Sequence, residues 1–141
     1  MRITFLYTEL ADYTIACLRA AKQVQPDTEL LIIHFPVNPE APFLFEFSGI
    51  GEFICVNDFS AYKHFRNKIQ SFRPDKMVCC GWINKWYIRV CREFRNKVFC
   101  ILAIDNHWHN TFKQQLLGIV SHVLLKPVFQ KVWVPGKPQV T

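Results

Sequence analysis

The sequence predicts an α/β fold: a doubly wound parallel sheet of about six strands with helices on both faces. Three features carry this expectation. Apolar, strand-like runs alternate with stretches of helical periodicity from one end of the chain to the other. The runs are apolar almost throughout, as strands covered on both faces are, and lack the in–out alternation of a half-exposed sheet. A strand, a helix and a second strand also fit before Pro36, the size of a βαβ unit with its right-handed crossover.

Taken in order, Arg2–Tyr7 (RITFLY) reads as a buried first strand. Leu10, Tyr13, Cys17, Ala20, Ala21 and Val24 then recur at three- and four-residue spacing, the stripe of an amphipathic helix. Pro26-Asp27 ends it, and Glu29–Phe35 (ELLIIHF) is a second buried strand. Prolines and glycines punctuate Pro36 to Gly51, where Phe43, Phe45 and Phe47 alternate as in a short extended piece with three rings on one side. Phe53–Val56 is a third strand. A helix from about Phe59 to Phe72 turns Phe59, Tyr62, Phe65, Ile69 and Phe72 inward, and Lys63, Arg66, Lys68 and Arg73 outward. Lys76–Cys80 (KMVCC) is a fourth strand, closed by Gly81-Trp82. The next helix has the clearest pattern, with Ile83, Trp86, Tyr87, Val90, Cys91 and Phe94 on one face and Lys85, Arg89, Arg92 and Arg95 on the other. Val98–Ile104 is a fifth strand, followed by the polar segment Asp105–Asn110 and an apolar helix from Thr111 to about Leu125. Lys131–Val134 is a last strand, stopped by Pro135-Gly136.

With 141 residues the chain fits one domain with a real core, and a composition 50% hydrophobic and 20% charged excludes disorder. A net charge of +6 favours acidic partners such as phosphorylated sugars, anionic lipid headgroups or nucleic acid. Nucleic acid is set aside, because the aromatics fall on the helical stripes and not among the lysines and arginines, and no recognition motif is present. The six cysteines show neither C-x-x-C nor zinc-site spacing. Cys79 and Cys80 are neighbours on a strand and point to opposite faces, so the thiols read as small buried hydrophobes of a reducing compartment, with no metal. Ile3–Tyr7 is too short for a signal peptide, and no stretch approaches the roughly eighteen apolar residues of a membrane span. The expected location is cytoplasmic, either soluble or peripheral at the inner face of the cell membrane.

Open parallel sheets bind ligands outside the carboxyl ends of their strands, near the point where strand order reverses. That rule selects Thr8, Glu9 and Asp12 after the first strand and His34 to Asn38 after the second. It also selects Gly81, Trp82 and Asn84 after the fourth, and Asp105 to His109 after the fifth. The first turn reads T-E-L-A-D where a dinucleotide fingerprint needs glycines, the first glycine is Gly49, and no phosphate-binding loop motif occurs. Glu9 at that turn would repel a phosphate, so no NAD, FAD or ATP cofactor is expected. In the densest polar cluster, Asp105 or a histidine can serve as a general base and Trp108 can stack on a sugar ring. Equally, Asp105 or Asn110 can cap the helix beginning near Thr111. The pair His107 and His109 lacks a third metal ligand nearby. Glu9 and Asp12 read either as ligand contacts or as first-turn acids favoured by the helix dipole, and His34 as a packed histidine.

Several segments together carry a family likeness: MRITFLYTELADY at the start, PVNPEAPF, the turn CGW, DNHW followed by TFKQ, and WVPGKPQ. In this order, over essentially the whole chain, they resemble the N-terminal domains of bacterial group-1 glycosyltransferases (family 4-like, GT-B fold). The resemblance implies two Rossmann-like domains facing across a cleft, of which residues 1–134 form the acceptor-side one. Residues 135–141 would begin the linker to a donor-binding C-terminal domain of the same polypeptide. It also implies transfer of a sugar from a nucleotide-sugar donor to a glycan or lipid-linked acceptor in cell-surface polysaccharide assembly, without a metal. The matching positions include Glu9, Asp12, Trp82, Asp105, Asn106 and Trp108; from its place after the fifth strand, Asp105 is expected to be the catalytic residue, with Glu9, Asp12, Trp82, Asn106 and Trp108 binding substrate. The basic helix faces, with Lys63, Arg66, Lys68, Lys85, Arg89 and Arg92, suggest contact with an anionic membrane surface. A non-enzymatic, flavodoxin-like binding or regulatory module is the alternative reading.

Overall fold

The structure, a computed structural model, describes residues 1–37, 45–104 and 123–134. Its elements run β1 (Arg2–Tyr7), α1 (Asp12–Val24), β2 (Glu29–His34), β3 (Glu52–Cys55), α2 (Tyr62–Phe72), β4 (Lys76–Cys80), α3 (Lys85–Phe94), β5 (Phe99–Ala103) and β6 (Lys131–Trp133). Phe43, the segment Asp105–Asn110, most of the helix expected from Thr111 to Leu125 and the linker 135–141 lie outside the described residues.

The strands form one six-stranded sheet in the order β3-β2-β1-β4-β5-β6, and every pairing is parallel. This is the expected α/β, Rossmann-like, doubly wound sheet, with β2 and β4 flanking the first strand. A flavodoxin-like sheet would run 2-1-3-4-5. Both faces are covered, which is why the strands could be read as continuous apolar runs. Along β2, Leu31 and Ile33 point to one face and Leu30 and Ile32 to the other. The first face, with Leu6, Met77, Cys79, Cys100 and Leu102, packs on Phe65 and Ile69 of α2 and on Tyr87, Val90 and Cys91 of α3. The second packs on Ile15 and Leu18 of α1 and on Ile50. A side chain such as Phe65, with no exposed surface, contributes about 1.5–3 kcal/mol by leaving water. Phe45 and Phe47 both lie on the α1 face, and Phe47 stacks on Phe53 at 4.1 Å between ring centroids.

Three sequence expectations need correction. Helix α1 buries Thr14, Ile15 and Leu18, whereas Tyr13 is 64% and Val24 79% exposed, and Cys17, Ala20 and Ala21 also face outward. Two apolar stripes compete on this helix, and the one with the larger aliphatic chains removes more area from water. Ile83, 81% exposed, stands outside α3, because Asn84 caps the helix and starts it one residue later. Of the six cysteines, Cys79, Cys91 and Cys100 are buried, but Cys55 and Cys80 are half-buried and Cys17 is exposed. None of the six forms a disulfide, and Cys79 and Cys80 do take opposite faces, Cys79 in the α2–α3 core and Cys80 beside Tyr7.

Candidate functional site

Strand order reverses between β1 and β4, so the crevice of this sheet lies at their carboxyl ends. The register pairs Tyr7 with Cys80, which brings the next residues, Thr8 and Gly81, together. Thr8 Oγ1 donates a hydrogen bond to the Cys80 carbonyl at 3.1 Å, reaching across from one strand end to the other. Gly81 has φ of 111°, and a Cβ there would lie 3.0 Å from Thr8 Oγ1 and 3.1 Å from its Cγ2. A residue with no side chain is therefore favoured by both the backbone and the neighbour.

Beneath this contact, the buried Tyr87 hydroxyl donates to the Tyr7 carbonyl at 3.0 Å and, at longer range, to the Ile33 carbonyl at 3.4 Å. The Phe35 N–H also donates to the Tyr7 carbonyl, at 3.2 Å. Burial pushes the Tyr7 and Tyr87 hydroxyls well above their ordinary pKa, so both remain protonated. The carboxyl ends of β1, β2 and β4 are thus tied by one phenol and one threonine.

Around this frame, Glu9 is exposed and Trp82 half-buried, each one residue beyond the Thr8–Gly81 contact. Asp12 is exposed and opens α1, whose capping residue Ala11 supplies no side-chain bond, so its position is that of a first-turn acid. Among the described residues no hydrogen bond or ion pair joins Glu9, Asp12 and Trp82. Asp105, Asn106 and Trp108 lie outside the described residues, as do His107, His109 and Asn110. His34 is buried between Phe47 and Phe53, with Nδ1 2.7 Å from the Phe35 carbonyl, and is a packed histidine. Asn84 is a helix cap: its Oδ1 accepts from the N–H groups of Trp86 at 2.8 Å and Tyr87 at 3.2 Å.

The basic helix faces are partly neutralised. Glu93 accepts from Arg66 at 2.7 Å and Arg89 at 3.0 Å, and Lys68 meets Glu52 at 2.5 Å. Burial opposes the charge on Glu93, but the hydrogen bonds from Arg66 and Arg89 outweigh it and hold its carboxyl below the ordinary range. The Arg89 guanidinium also lies 4.1 Å from the Tyr62 ring centroid.

One feature of the carboxyl edge is absent from the sequence reading. Val56, Asn57 and Phe59, after β3, and Asn84, Lys85 and Trp86, at the start of α3, line a depression of about 400 Å³. Its signal was there in the two asparagines that each follow a strand end. A wider depression of about 710 Å³, lined by Arg2, Glu29, Gln70, Ser71, Phe72 and Arg73, lies at the opposite edge, where parallel sheets do not place ligands. Among the described residues no helix is long and apolar enough to cross a membrane.

No protein-family model matches the sequence, and no curated protein matches it. Solved structures do. MurG of Acinetobacter baumannii superposes with a TM-score of 0.50 at 10% identity, over 94% of this chain and 40% of MurG. L-threonine 3-dehydrogenase of Trypanosoma brucei gives 0.49 at 12% identity, over 94% of this chain and 53% of that one. The SurE protein of Aquifex aeolicus gives 0.44 at 8%, over 99% and 68%. The chain thus spans about half or less of the first two proteins' length. At these identities the likeness to MurG bears on the fold alone: a Rossmann-like α/β sheet.

Proposed function

We propose that this chain is the acceptor-side half of a GT-B glycosyltransferase. The observation that carries the reading is the parallel sheet in 3-2-1-4-5-6 order, in a chain whose fold is similar to that of the glycosyltransferase MurG, joined to a first turn, T-E-L-A-D, that lacks glycine and bears Glu9. That turn disfavours a dinucleotide pyrophosphate, the ligand a dehydrogenase with this sheet would hold there.

On this reading the acceptor, a glycan or lipid-linked sugar, is bound by Glu9, Asp12, Trp82, Asn106 and Trp108. Asp105 takes the proton of the acceptor hydroxyl as its oxygen bonds to the anomeric carbon of the donor. The bond from that carbon to the donor phosphate breaks, and the nucleoside diphosphate leaves. Asn106 orients the hydroxyl and Trp108 stacks on the ring. The donor is held mainly by a second domain of the same polypeptide.

The test is transfer of labelled sugar from a panel of UDP- and GDP-sugars by the protein expressed from its whole reading frame. Asp105→Asn should cut turnover by about 10² to 10⁴ while leaving the melting temperature unchanged. A loss of about 1 kcal/mol in stability with normal turnover would instead make Asp105 a helix cap.

A further inference from the structure

We infer that the depression between the β3–α2 connection and the start of α3 is a ligand site of its own, one that takes a sugar ring carrying a phosphate. Three properties of its lining point to that class. Its apolar wall is aromatic and held in place from behind. Phe59 meets Phe65 edge-on at 5.6 Å, and Trp86 packs on Phe65 at 5.6 Å and on Tyr62 at 6.0 Å. Such fixed rings suit the apolar face of a pyranose better than flexible aliphatic chains do, because little side-chain freedom is lost on binding.

Amide donors supply the second property. Asn84 lines the depression, and its Oδ1 is committed to the α3 N–H groups, so it offers a ligand its amide N–H₂. Asn57, exposed on the facing side, adds a second amide. Neutral amides of this kind recognise hydroxyl groups.

The third property is charge. Lys85 is exposed and stands in the first turn of α3, which contains no acid. A cation there is opposed by the helix's own partial positive charge, so stability alone favours the reverse arrangement. Unlike Arg66, Lys68 and Arg89, Lys85 has no carboxylate partner among the described residues. Lys85 lines a depression of about 400 Å³, a size suited to a monosaccharide and its substituent. Local stability is set aside at this position to gather positive charge next to rings and amides, and a sugar phosphate satisfies all three.

This site does not depend on the transferase reading, since it is defined by binding alone. The test is a ¹⁵N-resolved NMR titration of the 141-residue chain with glucose 1-phosphate, and separately with glucose and with inorganic phosphate. Glucose 1-phosphate should shift the amides of Asn57, Asn84, Lys85 and Trp86 and the Trp86 indole, binding about fivefold more tightly than either part alone. Lys85→Gln should remove that advantage and Lys85→Arg should keep it, at a cost of about fivefold in affinity for the first. Lys85 is exposed, and thermal melts confirm that both variants fold. An equal response to phosphate alone would reduce the site to a counter-ion at a lysine and overturn the proposal. So would unchanged affinity in Lys85→Gln. Shifts confined to Thr8, Glu9 and Trp82 would also overturn it, while leaving the acceptor site proposed above standing.

Discussion

Replacing Gly81 with alanine tests how the carboxyl ends of β1 and β4 are joined. Two costs should add. At φ of 111° an alanine occupies backbone space that side chains disfavour, which costs about 1–3 kcal/mol. Its Cβ would also sit 3.0 Å from Thr8 Oγ1 and 3.1 Å from Thr8 Cγ2. Thr8 can yield a few tenths of an ångström only by loosening its 3.1 Å bond to the Cys80 carbonyl, worth about 1 kcal/mol. Gly81→Ala should therefore lose about 2–4 kcal/mol. Thr8→Ala alone should lose about 1 kcal/mol, the value of its hydrogen bond. In the double variant the collision is gone but the backbone cost remains, so its loss should fall short of the sum by about 1 kcal/mol. Urea denaturation of all four proteins, with equal slopes, gives the cycle. Strict additivity would refute the steric contact. A loss under about 0.5 kcal/mol in Gly81→Ala would refute the backbone argument as well.

Other consequences follow from the same contacts. Thr4 is fully buried and its hydroxyl has no hydrogen-bond partner, so Thr4→Val should raise stability by about 1 kcal/mol in the same denaturation assay. Tyr87→Phe removes the donor to the Tyr7 and Ile33 carbonyls and should lose about 1–1.5 kcal/mol, with faster hydrogen exchange at the ends of β1 and β2. The Glu93 carboxyl titrates below its ordinary value of 4.5, so its contribution is present above that pH and disappears as acid protonates the folded state. Glu93→Gln should then be less stable than the parent at pH 7 by under about 1 kcal/mol, a gap that closes in strong acid; a gap that persists there would mean packing and not charge.

Much of the fold was legible because burial on both faces writes itself into a strand. β1 and β4 have the expected limits, and β2 and β5 differ from expectation only at their ends, since the run Leu30–Ile33 has no polar residue to face water. Helix α1 was harder, because period alone cannot choose between the stripe through Ile15 and Leu18 and the stripe through Tyr13 and Cys17. Both satisfy a helical spacing, and only the larger aliphatic volume on one side decides. Ile83 was misplaced for a related reason: a capping asparagine interrupts the helix just after an apolar residue, and a periodicity count passes over the cap.

The site was legible as an edge but not as a shape. That ligands belong at the carboxyl ends follows from parallel topology, and the residues after the first, second, fourth and fifth strands could be named in advance, though not Asn57 after the third. What fills the crevice depends on registers and angles that no spacing encodes. Thr8 reaches Cys80 only because Tyr7 and Cys80 are paired, and it fits only because Gly81 turns to positive φ. The consequence concerns where a ligand can go. With the Thr8 side chain laid across the strand ends, the floor of the crevice is occupied by protein. The open, ring-lined space of this edge lies to one side, where Asn57 and Phe59 after β3 face Asn84, Lys85 and Trp86. Residues 27 apart in sequence, Asn57 and Asn84, become opposite walls only after β3 and β4 have been placed on either side of β1. A linear reading could therefore identify the two asparagines as loop residues, and only the assembled sheet makes them a site.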